Sequence, residues 1–374
     1  VKHHYVLDAR TATNHFPGIG RYVAHLAHAL DRLLTPDEEM TVLYRPNAPA
    51  RQPVCPHAWQ RTTCLPINTS PFTPPQQWQI PSLLHHLRAT LYHSPYYLMP
   101  YRPQRPTLLT VYDVIPLRYP YYVSWRARLL FRLMKRLAIR TADAIIAISH
   151  ATARDMQTFF NVDPTRMHVI PLAADRHFRP LPPEKQAEAR TRMGLPARYV
   201  LYVGSNKPHK NLTRLVRAWA TLRPPDTTLI IAGAWLPAYP EPLQLAMHLG
   251  LGEQHIRFLG PVEEHDLPAL YASALAFVFP SLYEGFGLPV LEAMACGVPV
   301  ACSNVSSLPE VAGEAALLFD PHDANAIAAA LERLLYDTTL RETLAAQGLA
   351  QAARFSWEAT AQQTVALYRQ TANG

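Results

Sequence analysis

Short apolar runs alternate along this chain with stretches in which apolar residues recur every three or four positions. In the first half the runs Tyr5–Asp8, Met40–Arg45, Ala89–His93, Thr107–Val114, Ala144–Ser149 and Met167–Pro171 predict strands. Helical spacing occupies Arg21–Leu33, Ser82–Arg88, Trp125–Ile139 and Ala151–Phe160. Proline-rich sequence from Pro46 to Pro75 breaks the rhythm and reads as an ordered surface excursion. A linker, Arg179-Pro180-Leu181-Pro182-Pro183, leads into helix-like Glu184–Met193, after which the alternation restarts. Strands are predicted at Tyr199–Val203, Thr227–Ala232, Ile256–Leu259, Leu275–Phe279, Val298–Ala301 and Ala316–Phe319, and helices at Leu212–Leu222, Leu243–Leu249, Leu267–Tyr271, Ala324–Leu335 and Leu340–Ala352. Ser356 suits an N-cap for a last helix with Ala361, Thr364, Val365 and Tyr368 on one face. The pattern is that of parallel α/β architecture in two halves, 1–178 and 179–355, with a closing helix in 356–374.

The length of 374 residues suits two domains that each bury a core, and 49% hydrophobic with 17% charged residues is globular composition. Uninterrupted apolar runs are too short to span a bilayer, and the opening residues Val1-Lys2-His3-His4 lack a secretory pattern. Cys55, Cys64, Cys296 and Cys302 show no paired spacing and read as thiols of a reducing compartment, which points to the cytoplasm. A net charge of +7 invites anionic partners. Part of it lies in 124–140, where Leu130, Leu133, Met134 and Leu137 form a stripe flanked by Arg128, Arg132, Lys135 and Arg136. Such a helix either packs on its own domain or lies on anionic lipid at the inner face of a membrane. No nucleic-acid-binding module is visible, and neither an HExxH nor a Cys/His spacing indicates a metal.

The densest chemistry is in Tyr283-Glu284-Gly285-Phe286-Gly287-Leu288-Pro289-Val290-Leu291-Glu292. It reads as a strand end, a glycine loop and a helix whose first position is Pro289 and whose first turn holds Glu292; Gly297 stops the helix. Carboxylates accept hydrogen bonds from sugar and ribose hydroxyls, and amides at a helix start favour phosphate. A second strand-to-helix loop, Gly204-Ser205-Asn206-Lys207-Pro208-His209-Lys210, offers cations. Phe16-Pro17-Gly18-Ile19-Gly20-Arg21 joins the first strand to the first helix without completing GxGxxG, which disfavours a dinucleotide oxidoreductase. His93, Asp113 and His150 stand at or near strand ends.

This series, in this order, resembles the retaining nucleotide-sugar glycosyltransferases of family four. That resemblance implies the GT-B fold, two Rossmann-like domains whose parallel sheets face each other across a cleft, with the last helix returning to the first domain. It implies transfer of a hexose, with mannose from GDP-mannose the first guess, to a hydroxyl of a glycan or lipid-linked acceptor in polysaccharide or glycoconjugate synthesis. The nucleotide-diphosphate sugar is then a co-substrate, and no metal or other cofactor is required. By the same resemblance Glu284 holds the sugar, Glu292 the ribose, and Lys210 the departing phosphate. Amides near Leu288 and Val290 meet the pyrophosphate, with Gly285, Phe286 and Gly287 lining the donor. Gly18 and Gly20 approach the donor phosphates, and His93 and Asp113 orient sugar and acceptor. Arg21, Tyr112 and His150 lie on the acceptor side. Two positions depart from the family: Ser205 stands where many members have arginine, with Lys207 or Asn206 as substitutes, and Tyr112 replaces a histidine. A GT-B epimerase or hydrolase, or a catalytically silent nucleotide-sugar-binding protein, are the alternatives.

Overall fold

Segments rich in Val, Ile, Leu and Tyr become buried parallel strands, and the amphipathic segments become the helices that cover them. The structure, a computed structural model, describes residues 2–13, 16–48, 55 and 59–373. Its contacts cluster into unit 1, residues 1–172 with 356–374, and unit 2, residues 173–355.

Unit 1 runs β1 (His3–Asp8), α1 (Pro17–Asp31), β2 (Glu38–Tyr44), β3 (Thr62–Pro66), α2 (Gln76–His86), β4 (Leu91–Ser94), β5 (Thr107–Val111), α3 (Ile115–Arg118), α4 (Trp125–Thr141), β6 (Ala144–Ala147), α5 (His150–Phe160) and β7 (Met167–Val169). Among the described residues its sheet is parallel in the order β3-β2-β1-β4-β5-β6-β7. Unit 2 runs α6 (Pro183–Arg192), β8 (Tyr199–Val203), α7 (Leu212–Leu222), β9 (Thr228–Ala232), α8 (Glu241–His248), β10 (Ile256–Gly260), α9 (Leu267–Ala272), β11 (Ala276–Phe279), α10 (Leu288–Ala295), β12 (Val300–Ser303), α11 (Leu308–Ala312), β13 (Ala316–Phe319), α12 (Ala324–Tyr336) and α13 (Thr338–Ala352). Its sheet, also parallel, has the order β10-β9-β8-β11-β12-β13. The last helix, α14 (Trp357–Asn373), packs on α1 within unit 1. Two doubly wound parallel sheets, each reversing its order once, are the Rossmann-like pair of the GT-B fold.

Val6, Leu7, Leu26, Leu108 and Ile145 are fully buried in unit 1, and Trp219, Leu229, Phe277, Val300 and Leu331 in unit 2. Each such side chain contributes about 1.5–3 kcal/mol on burial.

Several expectations change. β3 lies inside the proline-rich stretch, where its pairing with β2 overrides local composition; residues 49–54 and 56–58 of that stretch lie outside the described residues. β5 ends at Val111 rather than Val114, because the Asp113 carboxylate accepts the Ile115 amide and starts α3. Residues 173–178 cluster with unit 2, where buried Phe178 meets Tyr271 with ring centroids 5.7 Å apart. Cys55 and Cys64 form a disulfide, so two of the four predicted thiols are oxidised: β3 brings Cys64 beside a residue nine positions earlier, which no short motif announces. Cys296 and Cys302 are buried free cysteines.

Candidate functional site

In unit 2, β8 and β11 are neighbours at the point where the strand order reverses. The loops that follow them therefore leave the same edge of the sheet together, the position at which open α/β sheets bind ligands. Three ties join these loops. Leu282 donates its amide to the His209 carbonyl at 2.7 Å. Asn211, held in the left-handed region at φ 61°, donates its side-chain amide to the Pro280 and Pro321 carbonyls at 3.0 and 2.7 Å. Lys210 Nζ donates to Glu284 Oε1 at 2.6 Å while lying 5.3 Å from the centre of the Phe279 ring. Two site residues 74 positions apart in sequence are thus an ion pair, both side chains largely buried.

The chain around Glu284 is fixed from below by two serines that sequence reasoning missed. Ser306, at φ 60°, accepts the Glu284 amide at 3.3 Å and donates to the Glu284 carbonyl at 2.6 Å. The Ser307 hydroxyl is shared between the carbonyls of Glu284 at 2.9 Å and Phe286 at 2.7 Å. No local motif links these serines to a loop some twenty residues upstream; only the adjacency of β11 and β12 does. Phe286 is buried against Phe355, and Gly285 precedes it in the same loop. Gly287 caps α10 at φ 111°, and a Cβ there would lie 2.7 Å from Leu308 Cδ2, so the turn needs glycine.

Three donor-side expectations are corrected. α10 begins at Leu288, which puts Pro289 second and Glu292 in the second turn rather than the first. The Val290 amide bonds the Gly287 carbonyl at 3.0 Å because the left-handed cap tightens that turn; the Leu288 amide stays at the helix start, with no side-chain cap. Asn206 does not replace the missing arginine. Its side chain is spent on the Leu236 and Tyr239 carbonyls and the Leu236 amide, at 2.7–2.9 Å. The Ser205 carbonyl accepts the Tyr202 hydroxyl, whereas the Lys207 side chain is exposed. Glu292 is buried and accepts the Tyr271 hydroxyl at 3.0 Å.

In unit 1, Gly18 and Gly20 lie in the first turn of α1 rather than in a loop. Pro17 fits the start of a helix, so α1 begins four residues before the predicted Arg21. His93 is fully buried on β4, with Nδ1 2.7 Å from the Tyr368 hydroxyl and Nε2 2.8 Å from Thr110 Oγ1. Burial lowers its pKa to about 3, with Asp8 opposing, so it stays neutral. With both nitrogens engaged and no exposed surface, the ring ties β4 to β5 and α14. Asp113 is half-buried, and its carbonyl accepts a hydrogen bond from Lys135. Tyr112 packs edge-on to Tyr22, and its buried hydroxyl has no hydrogen-bond partner among the described residues. Arg21 is half-buried on α1, and His150 is exposed as the first residue of α5. Among the described residues no group of three or more His, Cys, Asp or Glu is arranged to hold a metal ion.

Residues 185–351 match the family model described as glycosyl transferases group 1, and residues 17–178 that of glycosyltransferase family 4. The chain is 37% identical over 284 residues to O-antigen chain mannosyltransferase B of Escherichia coli, covering 75% of this chain and 74% of that one. It is 35% identical to the serotype-specific mannosyltransferase WbdA of Escherichia coli over 68% of its own length, but spans only 32% of that longer protein. Among solved structures, Anabaena HepE in complex with UDP and glucose superposes with a TM-score of 0.76 at 19% identity, over 98% of this chain and 99% of that one, a likeness of fold. With both halves matched in order and the ion pair of the double-glutamate and lysine loops in place, the chain belongs to the group 1, family 4 glycosyltransferases of the GT-B fold.

Proposed function

We propose that this glycosyltransferase moves a mannosyl residue from GDP-mannose to a hydroxyl of a growing glycan or a lipid-linked acceptor, with retention of anomeric configuration. The observation that carries the donor assignment is the Lys210–Glu284 pair at the strand-order reversal of unit 2. A lysine beside a carboxylate is equipped for the two ends of a bond that breaks between sugar and phosphate. Glu284 accepts hydrogen bonds from sugar hydroxyls; Lys210 exchanges its carboxylate partner for the departing diphosphate and neutralises the charge that develops there. The acceptor oxygen forms the new bond to the anomeric carbon as the bond to phosphate breaks, and its proton passes to the leaving phosphate. Glu292, on α10, takes the ribose, and the Leu288 amide and Lys207 assist the diphosphate. Asp113, Arg21, Tyr112 and His150 belong to the acceptor-bearing unit 1, where the first turn of α1 with Gly18 and Gly20 offers backbone amides.

Mannose is favoured by the names of the relatives, both mannosyltransferases, and a glycan acceptor by the O-antigen chain that one of them builds. The epimerase and hydrolase reading finds no support among them, and the intact ion pair speaks against a silent binding protein. Because nucleotide sugars are cytoplasmic metabolites, we place the reaction at the inner face of the membrane.

The test is transfer from GDP-mannose by Lys210→Ala and Glu284→Ala. Loss of one charge-stabilising donor costs about 2.7–4 kcal/mol, so kcat should drop on the order of 100- to 1,000-fold with the fold intact. Glu292→Ala should chiefly weaken donor binding. Full turnover by the Lys210 or Glu284 variant would remove the site from unit 2, and turnover restricted to another nucleotide sugar would remove only the donor identity.

A further inference from the structure

The strand order of unit 1 reverses between β1 and β4, so the loops that follow these two strands leave the sheet side by side. Each carries a half-buried aromatic ring, Phe16 after β1 and Tyr96 after β4, and the ring centres lie 5.1 Å apart. Phe72, from the loop between β3 and α2, stacks on Phe16 with centres 6.0 Å apart and planes 18° from parallel. Even so, 54% of Phe72 is open to water. A phenylalanine in water on a free loop would mean little, but this loop is held. Arg10, buried beyond the end of β1 and paired with Asp8, donates Nη1 to the Thr69 carbonyl at 3.1 Å. Ser70 Oγ accepts the Phe72 amide at 3.3 Å, and the buried Gln76 amide donates to the Pro71 carbonyl. On the other side Ser94, the last residue of β4, donates to the Tyr96 carbonyl at 2.6 Å. Tyr97 lies with its ring centre 4.4 Å from that of Tyr96 and is braced against Phe131. Burial first, and the charge of Asp113 with it, raises the pKa of both phenols, so each keeps a proton to donate.

The geometry points to this row of rings as a subsite for a second sugar unit of a glycan acceptor, held on Phe72 and Phe16 beside the unit that reacts. The row follows the strand order from β3 through β1 to β4, and Asp113 stands after β5 at its far end. Steps of 6.0, 5.1 and 4.4 Å from Phe72 to Tyr97 make it longer than one pyranose ring. One face of a pyranose is lined by C–H groups whose hydrogens carry slight positive charge, and these settle on the negative face of an aromatic ring. The hydroxyls around its rim need hydrogen-bond partners, which the two phenols and the Asp113 carboxylate supply. Size argues against a protein partner: a few rings, most of them half-buried, fall well short of the roughly 800 Å² per partner of a stable protein interface. The inference rests on the glycan acceptor proposed above and adds the place where the chain behind the reacting sugar is recognised.

The test is calorimetric titration of the whole chain, without nucleotide, with trisaccharides of mannose, glucose and N-acetylglucosamine and with the methyl glycoside of each sugar. At least one trisaccharide should bind more tightly than its methyl glycoside. Phe72→Leu keeps an apolar side chain but loses the aromatic face, so it should weaken that trisaccharide roughly tenfold and leave the methyl glycoside unchanged. Phe72→Tyr restores the face and should bind as the parent does. So should Tyr336→Leu, which removes a ring 64% open to water from α12. Equal melting midpoints certify the fold of each variant. When transfer is followed, Phe72→Leu should raise KM for the longer acceptor by the same factor at unchanged kcat. A parent that binds no trisaccharide better than its methyl glycoside, a Phe72→Leu variant that binds as the parent does, or an equal loss in Tyr336→Leu would each overturn the proposal. Because the titrations contain no donor, trisaccharide binding by a chain that transfers nothing from GDP-mannose leaves the subsite standing while the proposed reaction falls.

Discussion

Ser307 shows how one side chain fixes the loop that carries another, the candidate site residue Glu284. Its hydroxyl serves the carbonyls of Glu284 and Phe286, and Ser307→Ala would leave the Phe286 carbonyl without that donor inside the fold and the Glu284 carbonyl to Ser306 alone. The cost of an unsatisfied buried carbonyl is about 1–3 kcal/mol. We expect a lowered melting midpoint together with a loss of kcat that exceeds any change in KM, because the loop bearing Glu284 is released while Glu292 on α10 is not; steady-state kinetics with unchanged kcat would refute this. His93 makes a different prediction. Its folded pKa of about 3 lies below the ordinary value of 6.5, so between those limits the unfolded chain holds the extra proton and stability falls as pH falls. One such proton amounts to about 1.4 kcal/mol per pH unit. Denaturant midpoints of unit 1 taken from pH 6.5 down to 5 should fall less steeply in His93→Gln than in the parent, and parallel slopes would sink the assignment. Glu284 and Lys210 were legible as candidates because the whole string around each is informative, and the fold brings the two together. The burial of His93 was not, since a histidine at a strand end looks alike whether its neighbours cover it or not.

At the scale of elements, α14 is held in unit 1 by a forked ion pair. Arg369 Nε and Nη2 donate to Glu38 Oε1 and Oε2 at 2.7 and 2.8 Å, and the Tyr5 hydroxyl and Thr35 amide complete the carboxylate's partners. These donors hold the Glu38 pKa down to about 2, against the opposing effect of burial. Arg369→Ala leaves a buried carboxylate with fewer donors, at roughly 2 kcal/mol before allowance for the part of Arg369 that water reaches. Hydrogen exchange should then rise first along α14; exchange unaltered there would mean that Tyr368 and Trp357 hold the helix unaided. Element existence was readable almost throughout, from the alternation of strand and helix patterns. β3 escaped because prolines surround it and pairing with β2 is a long-range event. The inward face of α4 escaped because its stripe of leucines is the better apolar pattern, whereas the sheet takes Phe131, Ala138 and Ile139.

For the whole molecule, the Cys55–Cys64 disulfide predicts the thiol count. Titration of the denatured, unreduced chain should find two thiols, Cys296 and Cys302; four would show that the pair is reduced. By itself the order of residues determined that there would be two parallel α/β halves, because hydrophobic period is a local property that survives any arrangement of the strands. It also marked which loops are the candidates for chemistry, because glycine, proline and carboxylate at a strand-to-helix turn act within a few residues of one another. What only the tertiary structure decided is every relation that spans the sheet. Lys210 meets Glu284, Ser306 and Ser307 support a loop far upstream, His93 is sealed by Tyr368, and α4 keeps Leu129, Leu130 and Leu133 in water. Each of these depends on which strands become neighbours and which helix face the remaining core can fill, and packing chooses that by shape and volume over the whole unit rather than by any pattern along the chain.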